Sequence, residues 1–312
     1  MSLSLAAISA YLRFFHKPML ARADDPVRVR NGLESVAARW FRTPSDAHVS
    51  KVRIDGPGGA IPAEWVSHGR ADRRAVVIYL HGGAYFMGSA AVYRHVCAAL
   101  SCYVGARVIA PDYRLAPESP YPAAVEDAVA VYRHLLDSGY TPDKIAFSGD
   151  SAGGGLSFAL LIAAREAGLP DPSCIAAFCP WVDLTMEQSS LKRNARKDPL
   201  LPVSRFMDAR EFYMQGGDYR APTASPLLAD IPNPPPTLIQ ASRIELLEDE
   251  ALAMADKLRA AGGDVRLEWW RKAPHSWHMF VGMAPEAREA LKRAGAFIRP
   301  HICNEEEAEA DE

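Results

Sequence analysis

KIAFSGDSAGGGL, residues 144–156, reads as a buried strand, a forced turn and the opening of a helix. Ile145, Ala146 and Phe147 form the short apolar run of a central parallel strand. Gly149, Asp150, Ser151, Ala152 and Gly153 then spell G-x-S-x-G. At such a turn the serine backbone is strained, both flanking positions must lack bulk, and the hydroxyl emerges above the sheet at a helix N-terminus. The helical run at 156–167 supplies the context that separates this pattern from a chance Gly/Ser loop. Ser151 is the candidate nucleophile, and the free backbone N–H of Ala152 faces any charge that develops on a substrate oxygen.

An acyl-transfer serine needs further oxyanion donors, a base and an orienting acid. Upstream, LHGGA at residues 80–84 directly follows the strand run 76–80. Adjacent glycines let backbone N–H groups approach a substrate oxygen unobstructed, so Gly82 and Gly83 are expected to complete the hole with Ala152. His81 reads as structural, its side chain pointing away. The base belongs in a loop after the last strand run, 265–270, where His275 and His278 compete in APHSWH. His275 comes first, with Pro274 stiffening its approach, and is preferred. The acid belongs after the strand run 237–240. Glu248, Asp249 and Glu250 sit where a helix begins, which the helix dipole alone explains. Glu245 lies in the loop itself, beside Ile244, Leu246 and Leu247, and is the choice, with Asp249 the fallback. Serine, then acid, then histidine is the α/β-hydrolase order.

The remaining chain agrees. Runs 49–54 and 61–66 alternate apolar with polar around Gly56, Pro57, Gly58 and Gly59, which predicts an antiparallel hairpin. Strand runs at 76–80, 107–110, 145–147, 175–178, 237–240 and 265–270 are mostly separated by helical runs at 93–103, 123–136, 156–167 and 250–261. The expected class is therefore α/β, a mostly parallel sheet of about eight strands with helices on both faces. Residues 1–47 carry helical periodicity at 3–15 and 26–41 and precede any strand, so they read as an N-terminal cap segment. Core segments at 48–184 and 225–303 flank a lapse at 185–224, assigned to the cap because an insertion after the sixth strand overhangs the strand C-termini. A helix at 285–298 closes the fold, and the acidic tail 304–312 is expected to be disordered.

With 312 residues, 49% hydrophobic, 23% charged and a net charge of −3, the composition is that of an ordinary globular protein. A nucleic-acid partner would need a concentrated basic surface. No run approaches the ~18 apolar residues of a membrane span. The apolar N-terminus has no preceding basic residue and is interrupted by Arg13, so it reads as an amphipathic helix rather than a leader. Five cysteines without zinc-ligand spacing read as reduced, buried thiols of a cytoplasmic protein.

Five stretches together resemble the hormone-sensitive lipase family of α/β-hydrolases, the bacterial family IV esterases. They are HGGAYFMGS (81–89), DYRLAPESPYPAAVED (112–127), GDSAGGG (149–155), PWVDL (180–184) and SPL (225–227). The likeness covers most of the chain. It departs at the acid: many relatives carry DPLxDE, and ELLEDE at 245–250 sets a glutamate where their triad aspartate stands. A branch with E-x-L-x-D-D uses the glutamate. The resemblance implies hydrolysis of short to medium acyl esters, small-molecule substrates, and no metal or cofactor. It also implies pairing into a homodimer through the last strand and the C-terminal helix. Trp40, Phe86, Met87, Phe206, Tyr213 and Trp277 are candidates for the substrate pocket. Lactone hydrolysis of the monoterpene type is the alternative at the same site. A non-catalytic small-molecule receptor is the alternative of another class; family receptors typically lose the histidine, and its retention at position 275 speaks against that.

Overall fold

The computed structural model describes residues 1–23 and 25–303; the expected tail at 304–312 lies outside the described residues. Eight strands form one sheet: β1 His48–Gly56, β2 Gly59–Ser67, β3 Asp72–Leu80, β4 Ala106–Pro111, β5 Ile145–Asp150, β6 Cys174–Phe178, β7 Thr237–Ser242 and β8 Val265–Trp270. Their order is β1-β2-β4-β3-β5-β6-β7-β8. The hairpin β1/β2 pairs with Ile54 opposite Ile61, and β2 meets β4 antiparallel; every later pair is parallel.

Side-chain alternation along the central strands builds two cores. In β3, Val76, Ile78 and Leu80 face one side, while Ala75, Val77 and Tyr79 face the other, all inaccessible to solvent. A strand buried on both faces needs apolar residues throughout, which is why its sequence shows no polar alternation. On the first face lie α5 Ala123–Asp137, α6 Ala152–Glu166 and α9 Glu248–Ala260. On the second lie α4 Ala90–Val104 and α10 Pro285–Ile302. The strand order reverses beside β3, so the C-terminal ends of β3 and β5 open onto one crevice, where ligands bind in such sheets.

The N-terminal segment is longer in helix than its periodicity predicts. The helix α1, Leu3–Tyr11, continues through a π turn at Leu12–His16 into α2, Lys17–Arg22. Pro18 has no N–H to give the preceding turn, and the wide turn just before it takes up the register. The helix α3 is Pro26–Trp40, and the insertion carries α7 Ser190–Arg193 and α8 Val203–Met214. N-terminal segment and insertion adjoin: Lys17 donates to the carbonyls of Ala195 (2.8 Å) and Asp198 (2.7 Å), and Arg205 to that of Ala21. Arg30 of α3 donates to the carbonyls of Phe86 and Ala116.

Phe41 packs on His95 and Phe280, but Trp40 beside it is 59% exposed. All five cysteines are free. Cys97, Cys174 and Cys179 are buried as expected, whereas Cys102 is exposed because α4 turns it outward. Among the described residues no helix is long and apolar enough to cross a membrane.

Candidate active site

β5 ends at Asp150 and α6 begins at Ala152, leaving Ser151 between them at φ 53°, ψ −120°. That backbone is strained for any L-residue, and crowding around it explains the flanking glycines. A Cβ on Gly149 would meet the carbonyl oxygens of Gly153 and Leu80 at 2.4 Å, and one on Gly153 would meet that of Leu80 at 2.0 Å. The turn is pinned to the next strand: Ser151 N–H donates to Phe178 O (2.8 Å), and its carbonyl accepts from Trp181 N–H (2.9 Å).

Loops after β8 and β7 bring two of the predicted partners to this hydroxyl. His275 Nε2 lies 2.8 Å from Ser151 Oγ, and His275 Nδ1 lies 2.6 Å from Glu245 Oε2. An ionised carboxylate can only accept, so Nδ1 carries the proton and Nε2 is left as the acceptor for the serine O–H. Glu245 is fully buried, and its Oε1 accepts from Ser242 N–H at 2.6 Å. Burial opposes a charged His275, yet the hydrogen bond and charge of Glu245, with the charges of Asp198 and Asp150 beyond it, raise its pKa above the ordinary value. The competitors lie elsewhere. His278 donates to Gln240 and stacks on Phe178, and burial holds its pKa well down. Asp249 accepts from Ser190 N–H and pairs with Arg193.

The glycine loop differs from the sequence-based expectation at one position. Gly82 N–H already donates to Asp150 Oδ1 at 2.9 Å and is not available to a substrate oxygen. The chain then runs through three positive φ values, Gly83 (124°), Ala84 (52°) and Tyr85 (64°). A Cβ on Gly83 would meet Met87 O at 2.1 Å, so only glycine makes this reversal. Among the described residues no acceptor engages the amides of Gly83, Ala84 or Ala152. His81 is structural as read: its ring stacks on Tyr113 at 4.2 Å, and burial pushes its pKa down to about 4.

Sequence reasoning passed over Asp150, which ties three loops together. Its Oδ1 accepts from Gly82 N–H and Tyr79 Oη, and its Oδ2 from Tyr93 Oη and Ser276 Oγ. The elbow, the glycine loop and the histidine loop thus share one buried carboxylate. Asn194 and Asp198 of the insertion were also missed. Asn194 Nδ2 donates to Glu245 O (2.9 Å), and Asp198 Oδ2 accepts from Leu246 N–H (3.0 Å), holding the acid loop by its backbone. The only available signal was an Asp and an Asn in a polar stretch. Cys179 Sγ, Glu245 and His275 present ligand-type atoms within 4.8 Å of one another. Two of those groups already satisfy each other, and burial, then the Glu245 charge, keep the Cys179 thiol protonated.

Of the pocket candidates, Phe206 and Tyr213 of α8 join an aromatic stack that starts at the elbow. Trp181 packs on Phe206 (4.1 Å) and near Tyr85, which stacks on Tyr213 at 3.8 Å. Phe86 meets Phe212 edge-on, and Met87 lies against Gly83. Trp277 and Trp40 are corrections. Trp277 is buried in the opposite core against Trp270 and His278, because Ser276 at φ 50° turns the chain away. Trp40 points to solvent, since α3 buries Ala37 instead.

A family model described as alpha/beta hydrolase fold matches residues 77–279. An acetyl-hydrolase of Streptomyces hygroscopicus is 44% identical over 241 residues, 77% of this chain and 80% of that protein. The putative acetyl-hydrolase LipR of Mycobacterium tuberculosis is 34% identical over 290 residues, 92% of this chain and 91% of that one. A crystal structure of an esterase from the bacterial hormone-sensitive lipase family superposes with a TM-score of 0.90 at 38% identity, covering 97% of this chain and 99% of that one. EstE5, crystallised and soaked by p-nitrophenyl butyrate, does so with a TM-score of 0.91 at 37% identity, covering 97% and 100%.

Proposed function

This chain belongs to the bacterial hormone-sensitive lipase family of α/β-hydrolases and is a serine carboxylesterase, and from that premise we propose that Ser151, His275 and Glu245 carry its chemistry on short to medium acyl esters. The observation that supports the assignment is the unbroken line of hydrogen bonds, 2.8 Å from Ser151 Oγ to His275 Nε2 and 2.6 Å from Nδ1 to Glu245. Ser151 attacks the ester carbonyl while His275 takes its proton, and Glu245 stabilises the imidazolium. The charge on the attacked oxygen falls to the amides of Gly83, Ala84 and Ala152, with Ala84 in place of the Gly82 of the sequence reading. His275 then protonates the leaving alcohol, and the acyl-enzyme is released by a water that the same histidine activates.

Residues 1–47 and 185–224 act as the cap. Ser151 is only 6% exposed, which fits a covered site. The aromatic stack of Tyr85, Trp181, Phe206 and Tyr213 beside the elbow favours small acyl groups, and two relatives bear the name acetyl-hydrolase. The edge strand β8 with α10 is the dimer contact we propose, since an unpaired strand edge invites pairing. A p-nitrophenyl ester series beside a lactone series tests the substrate class, and organophosphate labelling separates an enzyme from a receptor. Labelling of the parent and none of Ser151→Ala is the expected result; equal turnover by Ser151→Ala ends the proposal.

A further inference from the structure

The first helical stretch carries an apolar face with nothing on it. Leu3, Tyr11, Phe14, Phe15 and Met19 are 58–90% exposed. Ala7 and Ala10 lie exposed between them. The opposite face, Leu5, Leu12 and Leu20, is buried. The spacing from Leu12 to Leu20 exceeds two α-turns, and the π turn at Leu12–His16 absorbs the difference. Two distinct faces therefore run along one helix, both apolar. The rings of Tyr11 and Phe15 stack on each other at 5.7 Å in the open. Single exposed apolar residues need no explanation, but a continuous stripe of them marks an interaction surface.

The charge around the stripe says what covers it. Residues 1–23 contain no aspartate or glutamate and carry Arg13, Lys17 and Arg22. Arg13 donates to the carbonyls of Arg196 and Lys197, and Lys17 to those of Ala195 and Asp198, which fastens the basic run KRNARK (192–197) against the helix. Lys192, Arg196 and Lys197 are exposed. Of the four cations in that run, Arg193 alone has carboxylate partners among the described residues. This basic rim stands on a chain of net charge −3. A second copy docking symmetrically on the stripe would set rim against rim, like charge against like. An anionic lipid surface matches both features: aromatic and aliphatic side chains enter the acyl boundary, and lysine and arginine meet the headgroups.

We propose that the helix spanning residues 3–22 docks on an anionic lipid surface, with Tyr11, Phe14, Phe15 and Met19 inserted and Lys192, Arg196 and Lys197 at the phosphates. Docking would bring the neighbouring insertion helix α8, tied to Ala21 through Arg205, to the place where amphiphilic esters partition.

Vesicle flotation tests this with phosphatidylcholine alone and with phosphatidylcholine mixed with phosphatidylglycerol. The parent is expected to bind the mixed vesicles roughly tenfold more than the neutral ones at low salt, and less at high salt. A Phe14→Ser/Phe15→Ser variant loses binding to both compositions, and Arg196→Gln/Lys197→Gln loses the preference for phosphatidylglycerol. Thermal melting confirms that both variants are folded. A parent that stays with the soluble fraction at both compositions overturns the proposal, as does binding that neither variant changes. If light scattering then shows that Phe14→Ser/Phe15→Ser breaks an oligomer, a second copy covers the stripe instead.

Discussion

Replacing Glu245 by glutamine tests the proposed relay where it is most sensitive. The carboxylate serves two donors at once, Ser242 N–H on Oε1 and His275 Nδ1–H on Oε2, each at 2.6 Å. Glutamine brings one oxygen to that pair. The Ser242 amide is a buried backbone donor at the end of β7 and cannot turn away, so the glutamine oxygen goes to it and the NH2 group faces Nδ1. The imidazole must then keep its proton on Nε2, where the Ser151 hydroxyl needs an acceptor. In serine proteases the corresponding wrong tautomer lowers kcat about 10⁴-fold. That is ~5.4 kcal/mol of barrier. The opposite orientation preserves the tautomer but strands the Ser242 amide, at a stability cost of about 1–3 kcal/mol. Turnover of p-nitrophenyl acetate and thermal melting distinguish the two outcomes: the expected result is a kcat loss on the order of 10³–10⁴ with KM and melting temperature nearly unchanged. Asp249→Asn runs alongside, and its loss should stay within about tenfold, because a partly exposed ion pair contributes little. The reasoning is refuted if Glu245→Gln turns over like the parent, or if Asp249→Asn is the variant that fails.

The other expectations follow from neighbouring contacts. The proposed mechanism needs neutral His275, whose pKa is raised mainly by Glu245 against the effect of burial, so kcat/KM should rise with pH along a limb above 6.5. In Glu245→Gln the limb should move to lower pH, and a limb that stays in place would show that Glu245 does not set it. Gly83→Ala forces a Cβ to 2.1 Å from Met87 O at φ 124°, and should cost on the order of 10²-fold in kcat as the oxyanion donors shift; parent-like turnover removes Gly83 from that role. Asp150 acts as a positioning residue, so Ser276→Ala, which cuts one of its four bonds, should lower kcat by about tenfold while KM holds. An unchanged kcat there means the histidine loop needs no such tie. Light scattering should give twice the chain's mass if β8 and α10 pair, and the monomer mass at micromolar concentration would dismiss the dimer.

Local chemistry was legible in the sequence and convergence was not. Gly149 and Gly153 could be read because backbone crowding at a strand-to-helix turn is a property of five consecutive residues. The parallel sheet could be read because strands such as β3 are apolar on both faces. Gly82 was misread because its amide is claimed by a carboxylate far away in sequence, and they meet only when β3 and β5 pair with Leu80 opposite Gly149. Trp277 looked like a pocket residue through its nearness to His275. One left-handed residue, Ser276, sends Trp277 into the core beneath the second face while His275 reaches Ser151, and nothing about serine announces that conformation.

The insertion makes the same point in the opposite direction. Residues 187–204 are polar and read as a loop of an insertion that overhangs the strand C-termini. In the structure that polarity is turned inward: Asn194 and Asp198 are fully buried and hold the backbone of Glu245 and Leu246, while Asp198 also satisfies the amides of Leu200 and Leu201. A buried carboxylate that accepts three backbone bonds is costly to displace. The same stretch is fastened to the N-terminal helix through Lys17 on Ala195 and Asp198. The acid loop therefore has two supports, β7 from below and the insertion from the side, and a movement of the N-terminal helix reaches Glu245 through only two residues. The proposed cap, joined in this way, does more than cover the hydroxyl. On that proposal its position sets how firmly the carboxylate is held against His275, so substitutions at Lys17 or Asn194 should alter kcat, whereas changes that merely widen the aromatic stack should alter KM.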